Sequence, residues 1–155
     1  MISNIKMKEL ISDIDFSLIE PKNYYSISQK ENQNNEKYWT VNKEIDCTLC
    51  GTSASGLELT HYEYDENEIY ISNSKNLKDV LNLSLKIFVS IKKILQENYN
   101  DTVFDIIFSI ILGEKDIAPH AVIRFYAIRD NFRIIDLKDI ENFKLEAVLI
   151  DTVND

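Results

Sequence analysis

The stretch Phe104-Asp105-Ile106-Ile107-Phe108-Ser109-Ile110-Ile111-Leu112, FDIIFSIIL, decides the fold. An apolar run of this length fits either a buried strand or a buried helix by periodicity alone. Its isoleucines and phenylalanines favour extended backbone, because branched and aromatic side chains pack well on a pleated surface. The segment Gly113 to Pro119 then turns the chain into a second β-rich run, Ala121 to Ile128, AVIRFYAI. A turn at Arg129-Asp130-Asn131 leads to an expected strand over Phe132 to Leu137, a short helical turn over Leu137 to Phe143, and a last strand in LEAVLI, 145 to 150. Connections this short suit antiparallel neighbours, whereas parallel strands need crossover helices for which this part of the chain has no room. The expected class is therefore α+β.

Working outward, the strongest helix signal lies just upstream, at 76 to 98. Asn76 is a candidate N-cap with Asp79 three residues on, and Leu77, Val80, Leu81, Ser84, Phe88, Ile91 and Leu95 trace one face. Leu83, Ile87 and Ile94 widen that stripe, which fits either cover on two sides or an exposed apolar patch for an adaptor. A hairpin is expected before it, pairing Leu57 to Tyr64 with Glu68 to Ile71 around Asp65-Glu66-Asn67. Further upstream, Tyr38 to Leu49 reads as a strand, 28 to 37 as a polar loop, and 5 to 18 as a helix closed by Pro21. The expectation is a single domain over 1 to 155. Its mostly antiparallel sheet has about six strands, with an N-terminal helix and a long central helix packed on it.

Composition narrows the function. The chain has 155 residues, 45% of them hydrophobic and 28% charged, with 3 glycines and 2 prolines, which excludes disordered and low-complexity classes. Twenty-six acidic against 17 basic residues give a formal charge of -9, so the long-range field repels nucleic acid and anionic membrane and favours a cationic partner. The opening MISNIKMKELISDIDF lacks a signal-peptide pattern, and no apolar stretch approaches the roughly 20 residues that span a bilayer. A cytoplasmic protein with reduced thiols is expected.

Both cysteines sit in IDCTLCGTSASG, 45 to 56. A zinc site would need Cys47, Cys50, His61 and His120 together, and the separation of the histidines departs from the usual spacing. A redox pair would need a helix directly after the cysteines, and the polar run 51 to 56 does not supply one. The simpler reading makes Cys47 a small core residue on one face with Ile45 and Leu49, Cys50 the end of that strand and 51 to 56 a turn; as a phosphate nest, that run lacks the lysine and spacing of a P-loop. His61 reads as core and His120 as a turn residue, although either beside a carboxylate would suit a small enzyme. Asp105, inside its apolar run, needs a counter-charge, for which Arg124 is the candidate. No cofactor, metal or catalytic motif is expected.

The feature above background is an acidic, tyrosine-bearing stretch. Glu58, Glu63, Asp65, Glu66 and Glu68 fall within eleven residues with no lysine or arginine among them, beside Tyr62, Tyr64 and Tyr70. These eight residues are the candidate partner-binding site, since tyrosine gives large contact area and concentrated negative charge speeds docking to a basic surface. In addition, HAVIRFYAIRDNFRIIDLKDIENF (120 to 143) and KLEAVLIDTV (144 to 153) are similar to the closing strands of small acidic immunity proteins from bacterial polymorphic or contact-dependent toxin systems. That resemblance implies a non-catalytic protein that neutralises a cognate toxin, a cationic nuclease being one form, without touching nucleic acid or membrane. A small enzyme using His120 or His61, and a zinc-stabilised adaptor, are the alternatives.

Overall fold

The structure, a computed structural model, describes residues 1 to 43 and 51 to 155. In chain order its elements are β1 (Ile2–Ser3), α1 (Ile5–Leu10), a 3-10 turn (Phe16–Leu18), β2 (Ser26–Glu31), β3 (Lys37–Asn42) and α2 (Leu57–Glu66). Then follow β4 (Ile69–Ile71), α3 (Leu77–Asn98), β5 (Phe104–Ile111), β6 (His120–Ala127), a second 3-10 turn (Leu137–Asn142) and β7 (Ala147–Val153). The fold is α+β. Five strands form an antiparallel sheet in the order β1-β7-β5-β6-β4, and β2 pairs with β3 as a separate hairpin.

Strand alternation gives the main sheet two chemically different faces. Phe104, Ile106, Phe108 and Ile110 of β5 join Ala121, Ile123 and Phe125 of β6 and Leu149 and Val153 of β7 on one face. Helix α3 lies on that face through Val80, Leu81, Leu85, Phe88, Ile91 and Leu95. Burial of each such large side chain contributes about 1.5 to 3 kcal/mol. The helix begins as its sequence suggests, with the Asn76 side chain accepting the Lys78 N–H at 2.8 Å. Ile87 is buried in the same core, Leu83 and Ile94 pack against it half-buried, and β2 of the hairpin also contacts α3. The stripe is wide because these residues also face the core, while Leu83 and Ile87 in addition line an open cleft beside β4. The opposite face of the sheet is a smaller cluster of Ile107, Tyr126, Ile140, Val148 and Ile150, with Ile134, Ile135 and Phe143 laid over it.

Several expectations are corrected. Residues 57 to 64 are helical, so the 57–71 hairpin does not exist. Ser28 to Glu31 of the expected polar loop belong to β2, where Ser26, Ser28 and Asn42 hydrogen-bond across the hairpin and Ile27 alone is buried. Residues 132 to 137 are not a strand. They cross the outer face of the sheet, where the Ile134 N–H donates to the Tyr126 hydroxyl at 3.1 Å. The N-terminal helix stops at Leu10, and only a 3-10 turn follows over Phe16–Leu18. The strand expected from Tyr38 to Leu49 is observed over Lys37–Asn42; its remainder, with Cys47 and Cys50, lies outside the described residues. No helix among the described residues is long and apolar enough to cross a membrane.

Candidate functional site

Helix α2 carries most of the expected binding residues and sorts them by turn. Its inner face holds Leu59, Thr60 and Glu63, and the C-cap residue Asn67 continues that face one turn on. Its outer face holds Glu58, His61, Tyr62, Asp65 and Glu66, at spacings that bring them together on one side of a helix.

The inner face is a joint between the two sheets. Glu63, fully buried, accepts the Trp39 N–H of β3 at 2.9 Å and the Ala127 N–H of β6 at 3.1 Å, and pairs with Arg129 at 2.5 Å. Asn67 accepts the Val41 N–H at 2.8 Å and donates to the carbonyls of Trp39 at 2.9 Å and Phe125 at 3.2 Å. Arg129 also donates to Thr60 Oγ1 at 2.9 Å and the Lys37 carbonyl at 3.0 Å. β3 and β6 are not paired with each other; the side chains of α2 take the main-chain groups that a neighbouring strand would take. Burial pushes the Glu63 carboxyl above its ordinary value, against the pull of Arg129 and of the two backbone donors. Glu63 is therefore a structural residue, and its place in the expected binding set is withdrawn.

The other members of that set divide. Tyr64 packs on Tyr126, and the Arg124 guanidinium lies 4.5 Å from its ring centre, so it is committed to the sheet's outer face. Glu68 forms an ion pair with Arg124. Tyr62 is half-buried with its ring edge-on to Tyr38, and its phenol is shifted upward by burial and then by Glu66 nearby. Tyr70, on edge strand β4, is exposed beside His120. Glu58, Asp65 and Glu66 are exposed and make no ion pair among the described residues.

Asp105 does not pair with Arg124. The two share a face but stand out of register, with Asp105 opposite Tyr126 and Arg124 opposite Ile107. Asp105 is instead enclosed by Arg133 at 2.6 and 2.8 Å, Thr152 Oγ1 at 2.7 Å and the Tyr126 hydroxyl at 3.0 Å. All three arginines of the chain, Arg124, Arg129 and Arg133, thus serve internal carboxylates. The sequence signal for this was the clustering of every arginine between 124 and 133, opposite an apolar run holding an aspartate.

The histidines are apart from this chemistry. His61, expected in the core, is exposed on α2 against Phe132, because helical geometry turns it away from Leu59. His120 has Nδ1 3.2 Å from the Ala118 carbonyl. Neither contacts a carboxylate among the described residues, and no group of three potential metal ligands occurs among them. The Gly51-to-Gly56 run ends at the start of α2, where the Gly56 N–H donates to the Glu36 carboxylate at 3.0 Å, so an internal anion occupies the place a phosphate would take. That hydrogen bond, after the one from Asn32, holds the Glu36 carboxyl below its ordinary value.

No protein-family model, no curated protein and no solved structure matches the chain.

Proposed function

We propose that the protein is a non-catalytic binding module of the cytoplasm that engages a basic protein partner, and that it acts as an immunity protein against a cognate toxin. The observation that carries this reading is the outer face of α2. Glu58, Asp65 and Glu66 stand exposed around half-buried Tyr62 on a helix without a lysine or arginine, while the inner face of the same helix is locked into both sheets. A rigid helix face bearing carboxylates around an aromatic suits a cationic surface, since it is held in place before contact and its field draws such a partner in. The chain's arginines are taken up internally, which leaves exposed positive charge to lysine and keeps this face acidic.

Native mass spectrometry of the tagged protein isolated from its own host is the direct test. The expected spectrum contains a species heavier by one whole basic chain. The triple variant Glu58→Lys, Asp65→Lys, Glu66→Lys should keep the wild-type circular dichroism and lose that species, because surface changes of this kind alter stability by only about 0.5 kcal/mol. A bare wild-type monomer, or a complex the triple variant retains, would overturn the proposal.

A further inference from the structure

We draw no further inference here: the strongest candidate, the cleft of about 1060 Å3 beside edge strand β4, lined by Tyr24, Tyr70, Lys43, Leu83 and Ile87, carries nothing because nothing in the structure shows what covers it.

Discussion

Glu63 and Asp105 are both carboxylates with no exposed surface, and both are held by an arginine, but their surroundings differ. Glu63→Ala would strand two backbone N–H donors and Arg129 at once, and a loss of about 3 to 5 kcal/mol is expected in urea denaturation. Glu63→Gln should cost markedly less, because burial already favours the uncharged carboxyl and the amide keeps an oxygen for a backbone donor. The sign of the pH effect follows from the raised value. A folded state that binds this proton more tightly than the unfolded chain has the full benefit below the ordinary 4.5 and loses it as pH rises through the raised value. The stability of wild type relative to Glu63→Gln should accordingly fall as pH rises above the ordinary 4.5 and through the raised value; a rise would show that Arg129 outweighs burial. At the second site, Asp105→Ala removes the common acceptor of Arg133, Thr152 and Tyr126. A loss of about 3 kcal/mol or more is expected in the same measurement, and a loss below about 1 would mean that solvent satisfies those donors.

Among the elements, α3 and α2 show what makes a helix legible. In α3, apolar residues recur at the helical period and the cap is a side chain of a strongly capping type, so start, face and length are all visible in the sequence. Asn76→Ala should lower the thermal unfolding midpoint in line with a loss of about 1 kcal/mol, the usual contribution of such a cap; an unchanged midpoint would mean that Ser74, which accepts the Asn76 N–H, holds the end by itself. Helix α2 lacks that signal because Thr60, Glu63 and Asn67 face inward for hydrogen bonding, not apolar burial. Without an apolar stripe, LELTHYEY shows an apparent alternation of Leu57, Leu59 and His61 that imitates a strand. β2 was obscured in a related way, since polar cross-strand pairs hold it and only Ile27 reports burial. The long strands β5, β6 and β7 were readable from their branched and aromatic residues and the short connections between them, since β5 and β7 are buried on both faces and carry little alternation. The acidic site was legible as a composition, but which carboxylates face outward depended on the helix.

At the scale of the whole molecule, the question is whether the β2–β3 hairpin and the main sheet form one cooperative unit. They share no strand pairing, yet Ile27, Trp39 and Val41 of the hairpin belong to the same apolar cluster as α3 and the main sheet. Trp39 stacks edge-on against Tyr99 beyond α3 and against Phe104 of β5, with ring centres 6.1 and 5.1 Å apart. Its main-chain groups are those taken by Glu63 and Asn67, so the apolar and polar halves of the joint meet at one residue. Detaching the hairpin would expose this large side chain and at the same time take the Trp39 N–H from the buried Glu63 carboxylate and the Val41 N–H and Trp39 carbonyl from Asn67, so the hairpin is expected to unfold with the rest of the domain. Trp39 is also the only tryptophan, and its fluorescence therefore reports the joint alone. Far-UV circular dichroism instead reports α3 and the five-stranded sheet. Urea titrations followed by the two signals should coincide in midpoint and slope, as a two-state transition requires. A fluorescence transition at lower urea would show the hairpin to be a separate unit, and α2 would then be the element that fastens it to the sheet.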